Sequence, residues 1–364
     1  MVEQGSGLGH GPLPFSLKMM KSKWNAMALI AMVGMLLFSC SVPKDVVKVV
    51  SQDGKGDYTT VQEALDAVPE HFEGGQWIIK IRPGRYYEKL HLAAGKDHVV
   101  LLGEDAQNTV LWYDDYAGSE TKGVKQSTWI EADDFTAVNI TFLNPHQNIR
   151  EIPGENKHSQ ATALMVTGDR LAFYHCRMVG NQDTFWGRGE GRVYVKDCYV
   201  EGNVDYIYGA SVMVFDQCEI FSNQHDSYIT AASTMEHSKF GITFLDCRLT
   251  AKEPGQPDHD GVPFENFYLG RPWHHRPHVA FIRCEEPGSV YPAAWTFMND
   301  DAIPTFYEYK CTGPGATPER LAAREMGGRQ LTDGEAAAYT LENIFSKETN
   351  PAYENDWTPA PDWK

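Results

Sequence analysis

The sequence predicts an all-β molecule, a single-stranded, right-handed parallel β-helix with short capping helices at its ends. Three observations point there. A short strand of alternating polarity recurs around a cysteine, in residues 173–178 with Cys176, 195–200 with Cys198, 213–220 with Cys218, 242–249 with Cys247 and 279–284 with Cys284. Such self-similarity marks a stacked repeat. Successive cysteines from Cys176 to Cys284 are 22, 20, 29 and 37 residues apart, so a constant strand sends out loops of different length. Finally, the tight Asn-Gly and Asp-Gly turns of a β-sandwich hardly appear between these strands, and the centre lacks the amphipathic helices of a doubly wound fold.

At the amino terminus, Lys21 and Lys23 precede an apolar run over residues 27–38, followed by Ser39 and Cys40. A basic flank, an apolar stretch too short to span a bilayer comfortably and a small residue before the processing point describe an export signal. With cysteine first after the cut, the segment resembles a bacterial lipoprotein signal. That resemblance implies lipidation at Cys40 and an exported protein, periplasmic or at the cell surface, held to the membrane only through its lipid. An ordinary signal peptide or an uncleaved anchor is the alternative. Residues 1–18 look unlike a targeting segment, and Met19 or Met20 makes a better start. The expected organisation is a signal over residues 1–39, a linker over 40–45, the β-helix over 46–349 and a surface tail over 350–364.

Residues 58–68 space their apolar side chains as a helix does and stop at Pro69, so a short helix should plug the first coil. Residues 138–144 look like one more repeat, with Asn144 in the cysteine position. Thr332 and Glu335 form a capping-box pattern ahead of residues 336–345, which predicts a second helix. Besides Cys40, six cysteines recur with the repeat. They read as a ladder of buried thiols, although disulfides between neighbouring coils are geometrically allowed. No Cys-x-x-Cys pair suggests a metal site. The formal charge is −17; loss of residues 1–39 would leave 29 basic against 48 acidic side chains. Such a surface repels nucleic acid and favours a neutral polymeric partner.

Asp183 and Asp205 each lie seven residues after a cysteine of the repeat. On stacked coils they would stand one strand spacing apart, roughly 4.8 Å between backbones. Like charges that close do not ionise independently, so one carboxyl should keep a proton while the other stays anionic. Gln182 adjoins Asp183, and Gln160 lies 23 residues before Asp183, about one coil. Amide donors there suit a developing oxyanion. Arg271, in Leu269-Gly270-Arg271-Pro272-Trp273, offers a cation that would keep one Asp ionised. His225 shares the aspartates' offset from its cysteine and is expected next in their row. His274, His275 and His278 read as exposed loop histidines rather than metal ligands.

Five segments in order, Gly84-Arg85-Tyr86-Tyr87-Glu88, Gln160-Ala161-Thr162-Ala163, Gln182-Asp183-Thr184, Asp205-Tyr206-Ile207-Tyr208-Gly209 and Leu269-Gly270-Arg271-Pro272-Trp273, resemble the signatures of the pectin methylesterases. Departures are mild: Phe185 stands for the usual Leu, Tyr206 and Tyr208 for Phe, and Thr162 for Val. The resemblance implies hydrolysis of methyl esters on galacturonate units, releasing methanol. In it Asp205 is the nucleophile and Asp183 the general acid and base, Gln160 and Gln182 hold the oxyanion, and Arg271 orients Asp205. It implies no metal and no cofactor, a monomer, and methyl-esterified pectin or oligogalacturonides as partner. Trp273 and Tyr208, with Trp186 and Trp295, would line the sugar groove; for Trp186 and Trp295, half-buried loop packing is an equal alternative. Two rival readings remain at this level: a polysaccharide hydrolase or lyase using the same carboxylates, and a β-helix that only binds carbohydrate.

Overall fold

Each full coil gives one strand to each of three parallel sheets, and the coils stack into a right-handed β-helix. In the computed structural model, residues 44–119, 125–147, 159–298 and 301–363 are described; the expected signal segment and Cys40 lie outside them. An eleven-stranded sheet runs from Val46–Val50 to Arg329–Gln330. A seven-stranded sheet runs from Leu90–Leu92 through Gln126–Ile130, Thr162–Val166, Phe185–Gly187, Ile207–Gly209 and Ser227–Ala232 to Phe267–Pro272. The third, also of seven strands, runs from Gly84–Tyr87 to Arg248–Ala251.

In-register pairing puts like residues on like rungs, so the interior is a set of side-chain ladders. Phe173, Val195, Phe215, Phe244 and Phe281 occupy one row of the long sheet. Phe244 and Phe281 stack with centroids 4.4 Å apart and planes 4° from parallel. Burying an aromatic of this size removes roughly 150–250 Å² from water, and repetition along the axis makes this the main stabilising term.

The cysteines form the second ladder. Register of Arg177 with Tyr199, Tyr199 with Glu219 and Glu219 with Arg248 places Cys176, Cys198, Cys218 and Cys247 in line, and Cys284 and Cys311 extend the repeat. All six are buried free thiols, and each gives its S–H to a backbone carbonyl, as Cys198 does to Lys196 at 3.2 Å. The residue before each slot has a positive φ: Asn139 56°, His175 52°, Asp197 51°, Gln217 53°, Asp246 52°, Arg283 56° and Lys310 47°. This left-handed residue turns the chain from one sheet to the next. The same register corrects the upstream repeat. Thr141 pairs with Arg177, so Ile140 fills the cysteine slot and Asn144 does not. Asn144 is instead buried, donating to the Asp115 carbonyl at 2.9 Å.

The first helix, Val61–Asp66, is capped by Thr60 and Glu63 acting reciprocally and buries Val61, Ala64 and Leu65 in the core. At the other end the expected single helix is two, Asp333–Ala336 and Leu341–Ile344, each with its own threonine N-cap, Thr332 and Thr340. They do not plug an end. Ala336, Tyr339, Ile344 and Phe345 pack on the outward side of the long sheet, against residues such as Tyr194 and Val214. The tail continues over this face, where the Tyr174 hydroxyl donates to the Ala360 carbonyl at 2.7 Å. His278 belongs to this packing rather than to an exposed loop. Its ring lies 2.8 Å from the Tyr339 hydroxyl, and burial pushes its pKa down to about 4.

Candidate active site

The seven-stranded sheet that starts at Leu90–Leu92 positions the chemistry. Along its strands Phe185 and Ile207 enter the core while their neighbours Trp186 and Tyr208 face outward, as alternation requires. Trp186 and Tyr208 are rung partners and stack at 5.3 Å with planes 12° apart; Trp273 stands 5.7 Å from Tyr208. Three of the four expected groove aromatics thus form one cluster. Trp295 does not join it. It is 0% exposed and stacks on Phe306 at 4.0 Å inside the helix, because an indole in the last coils is the large apolar group that closes the core.

Asp183 and Asp205 precede the strands Phe185–Gly187 and Ile207–Gly209. The Asp183 N–H donates to the Val204 carbonyl at 3.0 Å, so the two aspartates occupy successive rungs. Both have positive φ, 67° and 52°, a conformation that Asp tolerates better than most side chains. They are 7% and 6% exposed. One rung before, the Thr184 carbonyl accepts from both Ala163 and Leu164, at 2.9 and 3.1 Å. This bulge shifts the pairing by one residue. With Ala161 donating to the Gln182 carbonyl at 3.2 Å, Gln160 and Gln182 come level on adjacent coils. Beyond Asp205 the next coil brings Tyr228, whose N–H donates to the Asn203 carbonyl at 2.9 Å. His225, expected there, instead accepts the Asn266 N–H on its Nδ1 at 3.3 Å.

The two carboxyls have different partners. Arg271 forks onto Asp205, Nε to Oδ1 at 2.8 Å and NH2 to Oδ2 at 2.7 Å, and its guanidinium also lies 4.1 Å from the Tyr228 ring centre. A planar bidentate fork fixes the orientation of the carboxylate as well as its charge. Asp183 instead meets Lys125, whose ammonium is ion-paired to Oδ2. Burial pushes the Asp183 carboxyl up, the Lys125 ammonium opposes that rise, and the Asp205 charge adds to it. The Tyr208 hydroxyl lies 3.2 Å from Thr162 Oγ1, and burial followed by the Asp183 charge raises its pKa strongly. Lys125 was not foreseen, since it sits in no motif and reaches the site only through the fold.

Fold and site are those of a carboxylic ester hydrolase built on a parallel β-helix. The family model described as Pectinesterase matches residues 47–348. The chain is 32% identical to pectinesterase 31 of Arabidopsis thaliana over 315 residues, covering 82% of this chain and 92% of that relative. It is 31% identical to pectinesterase 2 of Olea europaea, over 79% and 75% of the two chains. Among solved structures, the pectin methylesterase from carrot superposes with a TM-score of 0.69 at 26% identity, covering 84% and 92%. That of Erwinia chrysanthemi gives 0.69 at 27%, covering 86% and 98%. A pectin methylesterase in complex with a hexasaccharide gives 0.68 at 28%, covering 86% and 98%. The chain belongs to the pectinesterase family, enzymes that hydrolyse the methyl esters of pectin.

Proposed function

We propose that this protein demethylates galacturonate units of pectin or its oligomers with Asp205 as nucleophile and Asp183 as general acid and base. The observation that carries the assignment is the unequal environment of two carboxyls on adjacent rungs. One is forked by Arg271, and the other is buried with its carboxyl pushed up. A carboxylate oriented by a guanidinium is the natural attacker; a buried carboxyl that favours its proton is the natural donor.

Asp205 adds to the C6 carbonyl, forming a carbon–oxygen bond while the carbonyl electrons move onto oxygen. Gln160 and Gln182, level on neighbouring coils, donate to that oxyanion. As the intermediate collapses, the bond from C6 to the methoxy oxygen breaks and Asp183 supplies the proton that makes methanol. The resulting carboxylate of Asp183 then takes a proton from water. The hydroxide adds to C6, the bond from C6 to the Asp205 oxygen breaks, Asp205 leaves as its carboxylate, and the new uronic acid gives its proton to solvent while Asp183 is again protonated. Trp186, Tyr208 and Trp273 give the sugars a stacking surface. The basic and apolar segment before Cys40 supports export and lipid anchoring at that residue. Metabolic labelling with a fatty acid, retained in the wild type and lost in Cys40→Ser, tests the anchor.

The catalytic test is Asp205→Asn. Methanol release from methylated pectin should fall by at least about 10³-fold, with the circular dichroism spectrum unchanged. A rate within tenfold of wild type removes Asp205 from the nucleophile's role.

A further inference from the structure

Two side chains of the site are polar where the family's signature segments are apolar, Thr162 for Val and Tyr208 for Phe. The fold brings these two departures together. Thr162 opens strand Thr162–Val166 and Tyr208 lies in Ile207–Gly209, with Phe185–Gly187 between them in the sheet. The Tyr208 ring lies along Trp186 of that middle strand, and its hydroxyl reaches Thr162 Oγ1 at 3.2 Å. Thr162 is 0% exposed and Tyr208 4%. A hydroxyl buried without a partner is costly, so each of these substitutions makes physical sense in the presence of the other.

The pair ends on Asp183, whose carboxyl is the second hydrogen-bond partner of the Tyr208 hydroxyl. A carboxylate only accepts, and a phenol has one proton to give. Tyr208 therefore donates to Asp183, and Thr162 donates to Tyr208. Asp205 is oriented by the planar fork of Arg271, whereas Asp183 meets the Lys125 ammonium, a point charge with rotatable donors that leaves a carboxyl free to turn. A second donor at a fixed place removes that freedom. We propose that the Tyr208 hydroxyl, aligned by Thr162, is a positioning residue that donates to the Asp183 carboxyl and fixes its orientation toward the ester. The proposal rests on Asp183 as general acid and base and adds to that reading the group that aims it.

The charged and titratable groups facing Asp183 are the Lys125 ammonium, Asp205 one rung away, Arg271 on Asp205, and the Tyr208 hydroxyl. Burial and the Asp205 charge favour the protonated carboxyl, while Lys125 and Tyr208 favour the anion. The donated hydrogen bond thus eases transfer of the Asp183 proton to the methoxy oxygen. It then steadies the carboxylate that takes a proton from water. Tyr208 keeps its own proton throughout, because burial and the Asp183 charge hold its pKa high.

The test follows methanol release from methylated pectin against pH in Tyr208→Phe, Thr162→Val and the double variant. Phe and Val are the residues of the family's own segments at these positions, so the coil accommodates both. Tyr208→Phe keeps the ring on Trp186, so kcat should fall about tenfold while KM changes by less than about twofold. Without the donor Asp183 holds its proton more tightly, so the alkaline limb of the kcat profile, where that proton is lost, should move to higher pH. Thr162→Val should move the limb the same way by a smaller step and should add nothing in the Tyr208→Phe background. An unmoved limb in Tyr208→Phe, a loss confined to KM, or an equal effect of Thr162→Val in both backgrounds overturns the proposal. Release by Asp183→Asn within about tenfold of wild type instead overturns the assignment of the acid, and this inference with it.

Discussion

Asp183 is held in a state that costs stability. Burial raises its carboxyl above the value of the unfolded chain, against the pull of Lys125. Between the unfolded value, about 3.9, and the higher folded one, the native protein keeps a proton that the unfolded chain has released. Stability therefore falls as pH rises through that window and is fully present only below it. Asp183→Asn removes the titration while keeping the shape. Its melting temperature should exceed that of the wild type at pH 7, the difference should vanish below about pH 4, and methanol release should fall at least about 10²-fold. A variant no more stable than wild type at neutral pH would show that the Lys125 pair offsets the whole cost of burial. The left-handed backbone at Asp183 and Asp205 belongs to the same economy, a strained conformation retained where it aims a side chain.

At the level of the strand, precision comes from backbone proximity. Strand Phe267–Pro272 presents Arg271, and a Cβ at Gly270 would come 1.9 Å from Thr230 Oγ1 and 2.7 Å from the Thr230 carbonyl. Glycine is required there because the neighbouring strand leaves no room. Gly270→Ala should push the strand outward and misplace the guanidinium, lowering kcat by about 10²-fold with little change in KM; kinetics at wild-type levels would mean that the ladder absorbs the methyl group. Elements of this kind are legible when they repeat. The Cys176 and Cys198 offsets placed Asp183 and Asp205 on neighbouring rungs, and the Leu269–Trp273 segment located Arg271. What the sequence hides is register where a coil is irregular. The bulge at Thr184 levels Gln160 with Gln182, the path into Ser227–Ala232 takes His225 out of the aspartates' row, and the pairing of Thr141 with Arg177 puts Ile140, not Asn144, in the cysteine slot. Lys125 was invisible for another reason. It is 58 residues from Asp183, and no local pattern marks a cation that only coil stacking brings to a carboxylate.

Over the whole molecule, a stacked helix must protect the core at its two open ends. The first end was readable because residues 58–68 space their apolar side chains as a helix does and stop at Pro69. The last coil closes differently, with Trp295 on Phe306 inside and Leu321 and Met326 packed against that core. Neither has a periodic signature, so Trp295 read equally as a groove residue or as half-buried packing, and residues 336–345 as a single capping helix. The closing loops are held by Arg324, fully buried between Glu286 and Glu308, with NH2 2.8 Å from a carboxylate oxygen of each. It also donates to the Tyr291 and Pro292 carbonyls at 3.4 and 3.2 Å, just before Trp295. Burial, reinforced by the Glu308 charge, pushes Glu286 strongly up, with Arg324 the cation shared by the two carboxyls. Arg324→Met keeps the bulk but leaves both acids without a counter-ion, an uncompensated cost of about 3–5 kcal/mol. The folded value of Glu286 should then rise further, so the loss should be larger at pH 8 than at pH 5. Urea unfolding at the two pH values checks this. An equal loss at both would mean that Arg324 acts through packing and its carbonyl bonds.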